Sequence, residues 1–247
     1  MKLKSLLHLG IAVAGLGILA AANPVTITIN STGSSTPGGV AYYPYTINVN
    51  NGSGSSNWTV ACDDFFDHVT VGEQYTGWVS NYTDLSHTLF NGGASTPDTQ
   101  YKELAWLFSN LDPAPPAPNT DDKNAAINYA MWDLFDSSAP GINANGTQVA
   151  QGSAVNGGVD SSAYWLGGAA TEASGGFSGF DFTPYVVFSP VDANGNPLVA
   201  GKGGPQEFIG STVPEPASLA LFGTGLLGLA FLFRRRLQDG RGVDLQA

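Results

Sequence analysis

Val25-Thr26-Ile27-Thr28-Ile29 decides how this chain is read: three β-branched apolar side chains alternate with two threonines at a period of two. That period belongs to a strand with one face in a core and the other in water. Tyr45-Thr46-Ile47-Asn48-Val49 repeats the pattern beyond a Ser/Gly/Pro-rich loop, so the two segments predict neighbouring strands. Trp58 to Cys62 and Val69 to Trp78 are further strand candidates, with Asn51-Gly52-Ser53-Gly54 as a loop between. Late in the chain Tyr185-Val186-Val187-Phe188 reads as a strand. Asp192 to Asn196 reads as a turn leading into Leu198-Val199, and Gly203 to Ile209 as a last strand that closes the sheet.

Helical spacing interrupts this β pattern twice. Thr96-Pro97-Asp98 supplies an N-cap, a first-turn proline and an acid, followed by Leu104, Leu107, Phe108 and Leu111 until Asp112-Pro113 ends the segment. After the rigid linker from Pro113 to Pro118, Thr120-Asp121-Asp122 caps a second helix. Its Ile127, Ala130, Met131, Leu134 and Phe135 share one face and predict a core stripe. From Gly141 to Gly179 the chain is rich in Gly, Ala, Asn and Ser with little periodicity, which predicts a long surface excursion. The fold class expected is therefore α+β: a single β-rich domain over residues 23–212 with two central helices.

Both ends of the chain carry export signals. Lys2 and Lys4 precede an apolar stretch from Leu6 to Leu19, and Ala20-Ala21-Ala22 offers the small residues that signal peptidase requires. Residues 1–22 are thus expected to be a signal peptide. At the other end Val213-Pro214-Glu215-Pro216 is followed by an unbroken small and apolar run from Ala217 to Phe233, then by Arg234, Arg235 and Arg236. At about 1.5 Å rise per residue such a run spans roughly 25 Å, just enough for a single transmembrane helix across a bilayer core of about 30 Å. The arginines act as a cytoplasmic stop, leaving the domain outside, and residues 237–247 form a polar cytoplasmic tail.

The order Pro-Glu-Pro, short apolar helix, arginine cluster over residues 213–236 resembles the PEP-CTERM sorting signal, a tail also called the ice-binding protein C-terminal domain. The resemblance implies an exosortase as partner, a membrane protease that cuts near Pro-Glu-Pro. It further implies a Gram-negative host, an inner-membrane-anchored precursor with a periplasmic ectodomain, and delivery to the cell surface or an exopolysaccharide matrix.

Between the two signals the charge is lopsided. Lys102, Lys123 and Lys202 stand against seventeen acidic residues, within a chain whose overall formal charge is −11. Such a surface excludes nucleic acid as a partner, because binding to polyanions rests on Lys and Arg displacing counterions. Neutral polysaccharide, water and divalent cations remain compatible. A disulfide scaffold is excluded too, since Cys62 is the only cysteine.

No catalytic constellation and no cofactor motif emerges, so a non-enzymatic role is expected. Cys62-Asp63-Asp64 and Asp67-His68 form the densest polar group. Asp63, Asp64 and Asp67 are the nearest approach to a hard-cation site, but their spacing matches no calcium loop, and a solvated acidic turn is the plainer reading. Cys62-Asp63-Asp64, Tyr101 to Leu107, and Asn124-Ala125-Ala126-Ile127-Asn128-Tyr129-Ala130-Met131-Trp132 together resemble bacterial thioester domains. In those adhesins a strand cysteine is bonded to a helix glutamine in a Gln-x-Ala-Ile-Trp motif and acylates amines on a target. The resemblance pairs Cys62 with Asn128, which stands where the glutamine is expected and is one methylene shorter. The reading that requires no bond makes Cys62 a small buried hydrophobe. The functional expectation is a non-enzymatic exported surface or matrix protein, with a covalent adhesin using Cys62 as the alternative.

Overall fold

The computed structural model describes residues 24–35, 40–65, 67–91, 97–112, 122–136, 138–149 and 158–212. In chain order the elements are β1 Val25–Ser31, β2 Ser34–Ser35, β3 Ala41–Tyr42, β4 Tyr45–Asn50, β5 Ser55–Cys62, β6 Gln74–Asn81, α1 Pro97–Ser109, α2 Asp122–Phe135, β7 Gly141–Ile142, β8 Gln148–Val149, α3 Ser162–Ser174, β9 Tyr185–Pro190 and β10 Phe208–Ser211. Six strands form a closed antiparallel barrel in the order β1-β4-β5-β10-β9-β6. Closure removes the unpaired edges that an open sheet would expose.

The alternation in β1 and β4 does what its period dictates. Val25, Ile27 and Ile29 point into the barrel opposite Tyr45, Ile47 and Val49, with Ile27 beside Val49 and Ile29 beside Ile47. Val60, Cys62, Phe188 and Phe208 complete this inner core. Thr26, Thr28, Thr46 and Asn48 face outward, and Thr28 pairs with Asn48.

A second core fills the space between the barrel wall and the helices. Ala61 on β5, Val187 on β9 and Ile209 on β10 turn outward to meet Leu104 and Leu107 of α1 and Ile127, Ala130 and Met131 of α2. Helix α2 is buried along every side from Asn124 to Trp132, not along one stripe, because α1, α3 and the barrel surround it. Leu134 and Phe135 are only partly buried.

Three expectations are corrected. The stretch expected as a surface excursion contains a third helix, α3, capped by Ser161, whose hydroxyl accepts from the Tyr164 N–H, and closed by Gly175. Its Trp165 and Ala169 enter the second core. Gly168 is required there, since a Cβ at that position would stand 2.8 Å from the Trp106 ring. The strand expected from Val69 begins only at Gln74, because Gly72 adopts a left-handed turn (φ +86°) whose N–H donates to the Ile29 carbonyl. The last strand begins at Phe208 rather than Gly203, since Gly201 and Gly203 also adopt positive φ. Among the described residues no helix is long and apolar enough to cross a membrane. The expected signal peptide, and the expected span over 217–233, lie outside the described residues.

Gly210 shows how tightly β10 is fitted: a Cβ there would meet Phe188 and Val60, each at 3.1 Å. Replacing Gly210 by Val should destabilise the domain by about 1–3 kcal/mol through overpacking, read as a lower urea midpoint with an unchanged slope.

Candidate functional site

Cys62 ends β5, and the residues that follow run under the helical layer. The acidic run expected as a solvated turn is buried: Asp63 is 0% exposed, and Asp64 and Asp67 are 3% exposed. Burial of three carboxyls requires donors or a shared proton: Asp64 Oδ1 accepts from the nearby Asp67 N–H at 3.3 Å, whereas the groups that meet Asp67 and Asp63 come from distant parts of the chain.

Asp67 is held by backbone. Its carboxylate accepts from the N–H groups of Gly201 (2.8 Å), Gly203 (2.7 Å) and Gly204 (3.0 Å). The positive φ of Gly201 and Gly203 turns these N–H groups toward one point and forms an anion-binding concavity. Gln206 closes the same loop, its Nε2 donating to the Asp64 and Asp67 carbonyls at 2.9 and 2.6 Å.

Asp63 faces Glu207, which precedes β10 and is also fully buried. The two residues are linked through backbone, Asp63 N–H donating to the Glu207 carbonyl at 3.4 Å. Glu207 Oε1 accepts from the Tyr101 hydroxyl of α1 at 2.5 Å, and Oε2 from the Leu89 N–H at 2.6 Å. Neither carboxyl oxygen of Asp63 has a donor within reach if both acids are ionised. Burial, then the charges of Glu207 and Asp64, push the Asp63 carboxyl well above the usual carboxylate range. Burial pushes Glu207 upward as well, while the Ser189 and Tyr101 hydroxyls and the Leu89 N–H pull it back. The physical consequence is a pair that holds one proton, carried chiefly by Asp63.

Cys62 and Asn128 meet in the same seam. The Cys62 thiol donates to the Asp64 carbonyl at 2.9 Å. Burial, then the charges of Asp64 and Asp63, push it well above the usual thiol range, which keeps it protonated and a poor nucleophile. Asn128 uses both ends of its carboxamide on backbone: Oδ1 accepts from the Tyr43 N–H at 2.8 Å, and Nδ2 donates to the Cys62 carbonyl at 2.7 Å. It therefore ties α2 to the end of β5 and to the segment before β4. Trp132, one helical turn further on, packs against Phe65 and Tyr129.

Paired carboxyls are raw material for general acid–base work, yet these lie fully buried beneath α1 and α2, where no substrate reaches them in this conformation. Among the described residues no group of three or more His, Cys, Asp or Glu side chains is placed to hold a metal ion. His68 is exposed at the surface and does not join Asp63 or Asp64. His87 stacks on Trp78 with ring centroids 3.7 Å apart. Asp192 accepts from the N–H groups of Asn194 and Asn196 and forms a tight turn. Glu207, Tyr101 and Gln206 were not singled out from sequence; the available signal was the alternation at Glu207-Phe208, which puts a carboxylate on the wall opposite the inner core.

Residues 212–236 match the PEP-CTERM protein-sorting motif. The chain thus carries the sorting signal of an exported, membrane-anchored precursor processed by an exosortase, and Val213, Pro214, Glu215, Pro216, Arg234, Arg235 and Arg236 fall within it. These residues lie outside the described ones. No curated protein and no solved structure matches the chain.

The proton on Asp63 has a measurable sign. An unfolded aspartate ionises near pH 4, whereas Asp63 in the fold stays protonated well above that. Between those two values the folded state binds the extra proton, so this residue makes stability fall as pH rises. Asp63→Asn retains a donor for Glu207 without the proton. The difference in urea stability between variant and parent should shift in favour of the variant as pH rises from about 4 to 8; a difference flat across that range contradicts the pairing.

Proposed function

We propose that this protein is a non-enzymatic surface or matrix component, exported with a cleaved signal peptide, held by its C-terminal run and released by an exosortase. The match of residues 212–236 to the sorting motif carries the reading. Signal peptidase, acting after Ala22, and an exopolysaccharide matrix are its further partners.

The fold supports this at one junction. Strand β10 ends at Ser211, and Thr212 is fastened by its N–H, 2.8 Å from the Pro184 carbonyl. The matched motif begins at that residue. Proline opposes helix at its own position and at the residue before it, and the motif places one on each side of Glu215. Cleavage near Glu215 cuts no strand of the barrel and leaves β10 in place.

A covalent adhesin is the second reading, favoured by the contact of the Asn128 carboxamide with the Cys62 backbone. Opposing it, that carboxamide is engaged at both ends and the thiol donates elsewhere. The first reading expects Cys62 to remain a thiol.

Two measurements test these readings. In a host that carries an exosortase, changing Arg234, Arg235 and Arg236 together to Ala should abolish retention of the precursor and reduce surface release; release at the parental level counts against the sorting role. Intact-mass analysis of the purified protein should show no loss of ammonia, with Cys62 alkylated only after denaturation, whereas an ammonia deficit with an unreactive Cys62 supports the adhesin.

A further inference from the structure

The helices pack against the barrel wall at β10, at the end of β5 around Ala61, and around Val187 of β9, whereas among the described residues β1, β4 and the start of β5 have no comparable helix cover, and Ser55 and Asn57 are exposed. The outward side chains of that uncovered wall have one chemistry. One row crosses four strands as Gln74, Thr28, Asn48 and Asn57, each paired in register with the next. The next row is Thr76, Thr26, Asn50 and Ser55, paired in the same way. Every one of these eight residues is polar and none is charged, in a domain that carries seventeen acidic residues.

The wall is also partly ordered in advance. Asn57 Oδ1 accepts from Asn48 Nδ2 at 2.8 Å and from Asn30 Nδ2 at 3.3 Å, and the Ser31 and Thr46 hydroxyls lie 2.7 Å apart. Strand spacing of about 4.8 Å and a two-residue repeat of about 6.8 Å make the array regular. Hydroxyls and carboxamides both donate and accept, and holding them in place lowers the ordering cost of binding. On the outer face of β6, beyond Thr76, the half-buried Trp78 stacks on His87 and adds a flat aromatic margin.

We propose that the outer wall formed by β6, β1, β4 and β5 docks a neutral polysaccharide. Charge selects this occupant: with no cation on the wall and an acidic protein behind it, anionic polymers and anionic membranes are repelled. The two rows contain no large apolar side chain to serve as the buried anchor of a protein interface, and closure of the barrel leaves no strand edge for a second copy to extend. A polyhydroxylated, uncharged polymer matches the donors and acceptors that remain. The inference deepens the proposed matrix role, but it is measured on purified protein and does not depend on sorting.

The test is affinity electrophoresis of the full-length chain, in a polyoxyethylene detergent, through gels containing dextran, hydroxyethyl cellulose or alginate. Retardation is expected in at least one of the two neutral polymers and not in alginate. Asn48→Ala with Asn57→Ala should weaken it by about tenfold, as should the separate pair Thr26→Ala with Asn50→Ala, since each removes several side-chain donors and acceptors at once. Ser174→Ala, on α3, should leave it unchanged, and thermal unfolding checks that each variant is folded. Absence of retardation in both neutral polymers, retardation in alginate alone, or parental binding by a folded pair variant overturns the proposal.

Discussion

Pairing of β10 with both β5 and β9 is the constraint on which the remainder of the fold rests. Phe208 lies opposite Cys62 on one side and Phe188 on the other, so this short strand at once completes the inner core and joins the two halves of the barrel wall. Without it β5 and β9 would each present an open edge and the inner face of Phe188 would meet water. It also places Ile209 toward the helices, so the outer core depends on the same four residues. Closure by the last strand means that contacts far apart in sequence must form together, which slows folding relative to a fold built from local contacts. That order is compatible with a chain that crosses a membrane before it folds.

The acidic seam beneath the helices shows how the two layers are registered against each other. Buried carboxyls are poor sources of net stability, because desolvation offsets most of what their hydrogen bonds return. They are selective, however: Glu207 is satisfied only when Tyr101 of α1 and the Leu89 N–H stand where they do. Asp67 is satisfied only when the glycine loop before β10 is formed. A shift of the helices along the barrel would strand these groups without partners at a cost of about 1–3 kcal/mol or more each. Apolar packing in the outer core tolerates sliding better than hydrogen bonds do, so the polar contacts specify one arrangement.

The legible parts of the sequence were those whose signal is local. The alternation from Val25 to Ile29 and from Tyr45 to Val49 identified inner and outer faces correctly, since period two is a property of each strand alone. The existence of α1 and α2 was equally local, since each follows from apolar residues recurring at helical spacing. Helix α3 was missed because Gly167, Gly168, Ala169 and Ala170 erase the apolar period, and the small size of Gly168 makes sense only beside Trp106. Burial of Asp63, Asp64 and Asp67 was missed for a related reason. Their partners are Glu207, Gln206 and the glycines of 201–204, and nothing near Asp63 announces them. Asn128, in contrast, was singled out as a partner of Cys62, and the structure brings the two residues together through the Cys62 carbonyl rather than the thiol.

This arrangement also accounts for how an exported domain holds together with a single cysteine. Small secreted domains use disulfides where the core is too thin to offset chain entropy. Here a closed barrel supplies one core, the helices a second, and the seam joins segments that are distant in sequence by hydrogen bonds instead of covalent links. Side chains inside the barrel and beneath the helices are committed to those tasks. Among the described residues the outward side chains of β1 and β4 are free of both tasks. Threonine and asparagine at those positions, in place of the glutamate and lysine that ordinarily solubilise an exposed sheet, are a choice that folding does not require.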